Sequence, residues 1–76
     1  MRVAVFGAGY VGLVTGACMA HLGHDVVVRD IVSDKVHALQ DGDVPIHEEG
    51  LTELIEKNRE RLTFTTEVAD ALEGAD

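Results

Sequence analysis

Near the start of the chain, short apolar runs alternate with a longer, mostly apolar stretch. The apolar run Val3–Phe6 ends at Gly7, which is typical of a strand buried on both faces of a parallel sheet. The mostly small and apolar stretch 11–22 ends at Gly23 and predicts a helix packed closely on that sheet. A second strand is predicted over Asp25–Arg29, because three consecutive valines lie at its centre.

Two further helices are predicted in the middle of the chain. The first begins near Ser33, carries Val36 and Leu39 three positions apart on one face, and ends before Gly42. The second is amphipathic, and its apolar residues follow the helical spacing i, i+3, i+4. These residues are Leu51, Leu54 and Ile55.

The last part of the chain predicts a strand and a short helix. Apolar and β-branched polar residues alternate over 62–65, as in an outer strand, and Thr66 is predicted to cap a helix that runs to about Leu72. The order strand, helix, strand, helices, strand is the first half of a doubly wound α/β fold. We therefore expect one parallel sheet of strand order 3-2-1 in a partial domain, residues 1–76, that ends before a fourth strand.

The predicted sheet leaves one edge of its first strand without a neighbour. In the complete strand order 3-2-1-4-5-6, the first strand lies between the second and the fourth. Without the fourth strand, Val3–Phe6 offers unpaired backbone groups to another chain. We expect self-association through this edge, or by segment exchange, if the chain folds alone.

The charge and the cysteine content exclude several functions. A net charge of −8 argues against nucleic acid and anionic membranes as partners. Cys18 is the single cysteine, so an intrachain disulfide and a cysteine zinc site are excluded, and we expect a cytoplasmic protein with Cys18 as an inert buried thiol. The spacing of the four histidines predicts no metal site.

The segment Gly7–Gly12, GAGYVG, fits the pattern GxGxxG and lies between a predicted strand and a predicted helix. Gly7 permits the sharp turn, Gly9 lets a pyrophosphate approach the backbone, and Gly12 lets helix and strand pack closely. Backbone N–H groups of the first helical turn, around Val11, are expected to face the phosphates. The pattern predicts a dinucleotide site of the Rossmann type.

Asp30 follows the second strand and lies 18 positions after Gly12, near the spacing expected for the acid that binds the adenosine ribose. Its carboxylate would accept a hydrogen bond from a free 2′-hydroxyl and repel a 2′-phosphate, which predicts NAD rather than NADP. Arg29 could argue for NADP, but strand alternation places it on the opposite side from Asp30. A helix-capping role for Asp30 is the structural alternative.

Motifs along the whole chain together resemble the UDP-glucose/GDP-mannose dehydrogenase family. The matching segments occur in order without an obvious gap. They are GAGYVGL at 7–13, Gly23-His24, DIVSDK at 30–35, Gly42, Pro45-Ile46, EEGL at 48–51 and LTFTT at 62–66. Two positions depart from the family pattern: Glu49 stands where proline is usual, and Val32 stands where a second acid is common.

The resemblance implies an NAD-dependent enzyme that oxidises the C6 alcohol of a nucleotide sugar twice, to the uronate, through a catalytic cysteine. It implies that Tyr10 and Val11 lie along the pyrophosphate, and that Asp30 and Lys35 contact the adenine-side ribose. Lys35 as a solvent-exposed helix residue is equally compatible with the sequence. The family's catalytic residues and sugar pocket lie downstream of this segment, so we expect no catalytic residue within it and an inactive isolated chain.

Two other functions fit the sequence less completely. One is a stand-alone dinucleotide-binding or interaction module without downstream chemistry. The other is a different NAD dehydrogenase, such as a β-hydroxyacid type, which the GYVGL run and the spacing from PI to EEGL disfavour.

Overall fold

The computed structural model describes residues 1–44 and 50–75 of the chain. Three strands alternate with helices in the order expected from the sequence. The strands are β1 (Arg2–Phe6), β2 (Asp25–Arg29) and β3 (Leu62–Thr65). The helices are α1 (Tyr10–His21), α2 (Ser33–Gln40), α3 (Leu51–Lys57) and α4 (Val68–Leu72), and a 3₁₀ turn spans Arg59–Arg61. The features expected at Pro45, Ile46, His47, Glu48 and Glu49 lie outside the described residues.

The strands form one parallel sheet of order β1-β2-β3, which confirms the expected order 3-2-1 of the first half of a Rossmann fold. Val3 of β1 lies opposite Val26 of β2, and Val26 lies opposite Leu62 of β3. Because the strands are parallel and in this register, their carboxyl ends lie side by side at one end of the sheet. The turn after β1 and the residues after β2 and β3 therefore lie close together.

Strand alternation divides the sheet into two faces. Val26 and Val28 belong to the main core with Leu62 and Phe64, while Val27 faces the other side, where α4 packs. Helix α1 approaches the first face closely, because a Cβ at Gly16 would lie 3.1 Å from the Cγ2 of Val28. The small residues of α1 thus allow the helix to lie directly on β2.

Glycines end two of the helices as the sequence predicted. The residue after the C-cap of α1 is Gly23, with φ +101°, and the one after the C-cap of α2 is Gly42, with φ +92°. A positive φ is accessible to glycine at little cost. Both helices therefore stop where the chain must turn back toward the sheet.

Two expectations about side chains were wrong. Thr66 does not cap α4, since the N-cap residue is Glu67 and its N–H donates to the Oγ1 of Thr65 at 3.0 Å. The threonine that accepts this hydrogen bond is Thr65, the last residue of β3, one position before Thr66.

Cys18 is exposed rather than buried. The buried face of α1 consists of Leu13, Gly16, Ala17 and Ala20. Position 18 lies off that face, and the small apolar residues around it hid the amphipathic pattern.

The outer edge of β1 has no neighbouring strand among the described residues. Most side chains of β1 are half-buried, and Phe6 at its carboxyl end is 56% exposed. At the opposite edge of the sheet, the Nε2 of Gln40 donates to the carbonyl of Phe64 at 2.7 Å. Helix α2 thus covers part of the β3 edge, whereas no strand in the described part of the chain lies beside the β1 edge.

No helix in residues 1–44 and 50–75 is long and apolar enough to cross a membrane.

Candidate functional site

The glycine-rich segment is the link between β1 and α1, as the sequence predicted. Gly7 has φ +103°, a backbone conformation that favours glycine, and its N–H donates to the carbonyl of Arg29 at 2.7 Å. This bond continues the ladder between β1 and β2 for one more residue. It holds the turn beside the carboxyl end of β2, so Gly7 lies close to the residues that follow that strand.

The fold explains Gly12 but leaves Gly9 without a structural reason. A Cβ on Gly12 would overlap the carbonyl oxygen of Gly7, so only glycine lets α1 start this close to the turn. Gly9 has an ordinary φ of −76°, and a Cβ there would meet no atom of the described residues within 4 Å. The space above Gly9 is therefore open to a ligand.

The N-terminus of α1 opens at the same place. Its first hydrogen bond joins the N–H of Leu13 to the carbonyl of Gly9 at 2.9 Å, and no side chain caps the helix there. The backbone N–H groups that precede Leu13 in the first turn of α1 have no acceptor within the helix itself. Tyr10 is 49% exposed and Val11 is 73% exposed, so both lie at the surface of this opening. These N–H donors and the positive end of the helix dipole together favour the binding of an anion at this end of α1.

Asp30 lies directly after β2 and points at the glycine turn. Its Oδ2 accepts a hydrogen bond from the N–H of Ala8 at 2.7 Å, and its Oδ1 accepts one from the N–H of Val32 at 2.9 Å. The residue is only 9% exposed. The carboxylate thus connects the first strand-to-helix turn with the N-cap residue of α2. The helix-capping role that the sequence left as an alternative is not observed, because the N-cap residue of α2 is Val32 and no side chain caps this helix.

Lys35 is the nearest cationic side chain to this carboxylate among the described ion pairs. Its Nζ lies 3.8 Å from the Oδ2 of Asp30, and a third of its side chain is exposed. The hydrogen bonds from Ala8 and Val32 hold the pKa of the Asp30 carboxyl below its ordinary value, and the charges of Lys35 and Arg29 lower it further. Asp30 is therefore ionised at neutral pH. The structure thus brings Lys35 beside Asp30, while a third of its side chain stays exposed.

Arg29 is turned away from the glycine turn, as strand alternation predicted. Its Nε donates to the carbonyl of Thr66 at 3.0 Å, just past the end of β3. Its guanidinium is therefore bound to the neighbouring strand connection. Sequence reasoning missed the backbone donors of Ala8 and Val32. The signal for Ala8 was present, because it is the residue between the first two glycines of the turn.

Within residues 1–44 and 50–75, no three His, Cys, Asp or Glu side chains are grouped so that they could hold a metal ion.

A parallel βαβ unit with a glycine turn, an open helix N-terminus and an ionised acid after the second strand defines a dinucleotide-binding protein of the Rossmann class. Comparison with known proteins identifies the family. The model of the UDP-glucose/GDP-mannose dehydrogenase family, NAD binding domain, matches residues 1–76. The chain belongs to this family, and its cofactor is NAD.

Curated relatives include UDP-glucose 6-dehydrogenase TuaD of Bacillus subtilis, which is 47% identical over 99% of this chain and 17% of its own length. GDP-mannose 6-dehydrogenase of Pseudomonas savastanoi is 44% identical over 100% of this chain and 18% of its own length. The chain therefore spans less than a fifth of the length of these relatives.

Solved structures of the family superimpose closely on the fold. A ternary complex of GDP-mannose dehydrogenase from Pseudomonas aeruginosa gives a TM-score of 0.93 at 38% identity, covering 100% of this chain and 18% of that one. UDP-glucose dehydrogenase from Pyrobaculum islandicum gives a TM-score of 0.91 at 35% identity, covering 99% of this chain and 18% of that one.

Proposed function

We propose that this chain is the cofactor-binding segment of an NAD-dependent nucleotide-sugar 6-dehydrogenase, which oxidises UDP-glucose or a related nucleotide sugar to the uronate. The observation that carries the proposal is the hydrogen bond between Asp30 and Ala8, because it places an ionised acid across the glycine turn from an open helix N-terminus. The names of the relatives support a substrate of this class. Bound NAD would supply the hydride acceptor for the oxidation.

The residues of the chain would bind NAD through two groups of contacts. Backbone N–H groups at the start of α1 would hold the pyrophosphate, since they lack acceptors within the helix. Asp30 would accept hydrogen bonds from the ribose hydroxyls, and Lys35 would contact the same ribose. The proposed cofactor-binding residues are Gly7, Gly9, Tyr10, Val11, Gly12, Asp30 and Lys35.

We propose that this segment binds and orients NAD and contributes no catalytic group. Cys18 lies in α1, whereas the proposed site is at the opposite, N-terminal end of that helix. We propose that the catalytic and sugar-binding residues of the parent enzyme lie outside this chain, that the isolated chain is inactive, and that the parent works in the cytoplasm. The nicotinamide half of NAD would rest on those other residues, so the chain alone would bind NAD weakly.

Calorimetric titration of the purified protein with NAD and with NADP tests the proposal. We expect weak binding of NAD, weaker binding of NADP, and at least a tenfold loss of NAD affinity in Asp30→Ala, equivalent to about 1.4 kcal/mol. Asp41→Ala is the matched control, because it removes the same charge at the far end of α2. Equal affinity for both cofactors, or equal effects of the two substitutions, would contradict the proposed role of Asp30.

A further inference from the structure

The outer face of helix α1 carries no Lys, Arg, Asp or Glu. The chain contains 6 Lys and Arg and 14 Asp and Glu residues, and none of them lies within Tyr10–His21. A helix at a protein surface normally has charged or polar residues on its outer face. Helix α3 follows this rule, because Glu53, Glu56 and Lys57 are exposed there. The composition of α1 is instead typical of a helix that is covered on both sides.

Four exposed positions form a continuous row along α1, which we call the α1 stripe. They are Val11, Thr15, Cys18 and, at the C-cap, Leu22. Their spacing of four, three and four positions places them on one face of the helix. Val11 and Leu22, at the two ends of the row, are each 73% exposed. Single exposed apolar residues are ordinary on a protein surface, whereas a row of them marks an interaction surface.

The α1 stripe is too small to hold a second copy of the chain by itself. It is about 17 Å long and about 10 Å wide, from the rise per residue and the diameter of an α-helix. The area of about 170 Å² is far below the roughly 800 Å² that each partner buries in a stable complex. An element of the same polypeptide can use so small a surface, because it does not lose the freedom of a separate molecule on docking.

We propose that the α1 stripe is the docking surface for an apolar segment of the parent polypeptide that lies outside residues 1–76. The matched region makes up only 17% and 18% of the two relatives described above, which leaves a long polypeptide to supply this segment. The absence of charged residues on α1 requires an apolar partner surface, since a charged one would be desolvated without an ion pair. The inference rests on the proposed function, which takes the chain as a segment of a longer enzyme.

The stripe extends away from the proposed NAD site along the whole helix. Val11 lies at the N-terminal end of α1 beside that site, whereas Leu22 lies at the C-cap. The docked segment would therefore approach the cofactor at one end and be remote from it at the other. A substitution at Leu22 tests the contact without altering any of the proposed NAD-binding residues.

The first test uses Cys18, within the stripe, as a probe in the native parent enzyme. N-ethylmaleimide is added, and mass spectrometry of the digested protein follows modification of this cysteine alone. We expect Cys18 to react at least tenfold more slowly in the native enzyme than in denaturant. Glu53→Cys, on the exposed face of α3, is the control and should show little protection. Equal protection factors at the two positions would overturn the inference.

The second test places a charge on the stripe. Leu22→Lys in the parent enzyme should lower the unfolding midpoint and make Cys18 react at least tenfold faster. Thr52→Lys adds the same charge at an exposed position of α3 and should change neither quantity. A lysine at the C-terminal end of α1 is favoured by the helix dipole, so the loss cannot come from the helix itself. Equal effects of the two substitutions would contradict the docking surface. The first test remains decisive if Leu22→Lys does not fold.

The third test identifies the occupant. A photoreactive phenylalanine analogue replaces Leu22 in the parent enzyme, and the product is analysed after irradiation and denaturation. A cross-link to a residue outside 1–76 in a product of monomer mass supports the inference. A product of twice the monomer mass would assign the surface to another subunit, and a folded enzyme without a cross-link would show an uncovered stripe. Either result overturns the inference.

A separate titration of the parent enzyme with NAD distinguishes this inference from the proposed function. Binding of NAD by an enzyme in which Cys18 reacts freely would count against the docking surface alone. Protection of Cys18 in a protein that does not bind NAD would count against the proposed function alone.

Discussion

The Oδ2 of Asp30 accepts a hydrogen bond from the backbone N–H of Ala8 at 2.7 Å, across 22 positions of sequence. This bond joins the end of β2 to the turn that follows β1. It orients the carboxylate toward the glycine turn and the N-terminus of α1, where we propose that the ribose and the pyrophosphate of NAD bind.

The first prediction concerns the pH dependence of stability. Because hydrogen bonds from Ala8 and Val32 lower the pKa of Asp30 in the folded state, its contribution to stability is present above its ordinary pKa of 3.8. That contribution is lost as the pH falls through the lowered value. As the pH falls below 5, the free energy of unfolding should decrease more steeply for the unsubstituted chain than for the Asp30→Asn variant. Parallel pH profiles would show that the carboxylate has the same pKa in the folded and unfolded chain.

The second prediction contrasts two glycines of the turn. Gly12→Ala should reduce the free energy of unfolding by about 1–3 kcal/mol, because the new Cβ overlaps the carbonyl oxygen of Gly7. Gly9→Ala should cost at most about 1 kcal/mol, as expected for alanine at an N-cap, but should weaken NAD binding at least tenfold. Chemical denaturation and calorimetric titration measure the two effects. Retention of full NAD affinity by Gly9→Ala would argue that no ligand approaches this residue.

The third prediction concerns the open edge of β1. The isolated chain should self-associate with increasing concentration, because β1 has no strand beside its outer edge among the described residues. Phe6→Lys places a charge at the end of this edge and should weaken association, whereas Leu22→Lys, at another exposed apolar position, should not. Light scattering that reports a stable monomer at high micromolar concentration would contradict the prediction.

The fourth prediction follows from the exposure of Cys18. A thiol reagent should modify one equivalent of cysteine in the folded protein, at a rate that changes little on adding denaturant. Circular dichroism during the reaction confirms that the chain stays folded. Protection of the thiol until global unfolding would show that position 18 is covered in solution.

The elements of the fold could be predicted because their signals are local. The valines of β2 and the apolar spacing of α3 specify a strand and a helix without reference to the rest of the chain. The positive φ of Gly23 also follows from its place after an apolar helix. The exposure of Cys18 could not be predicted, because the neighbouring alanines and glycines are compatible with either face of α1.

The candidate site could be predicted only in part. The spacing of the glycines and Asp30 identified which residues meet, since the pattern reflects a known strand-helix-strand geometry. It did not identify the partners of the carboxylate, because backbone donors such as Ala8 and Val32 carry no side-chain signature. The ion pair with Lys35 depends on the direction in which α2 leaves the sheet, which is set by packing.

Because β1 and β2 are parallel, no short segment of the chain can form the binding site before the two strands pair. Residues 8 and 30 meet only after α1 has crossed over and the two strands have paired along their length. An extended or partly collapsed chain keeps them far apart, so nucleotide recognition arises together with the tertiary structure rather than before it. Occupancy by the cofactor therefore reports on the integrity of the whole sheet, and a destabilising substitution far from position 30 would lower apparent affinity by reducing the population able to bind.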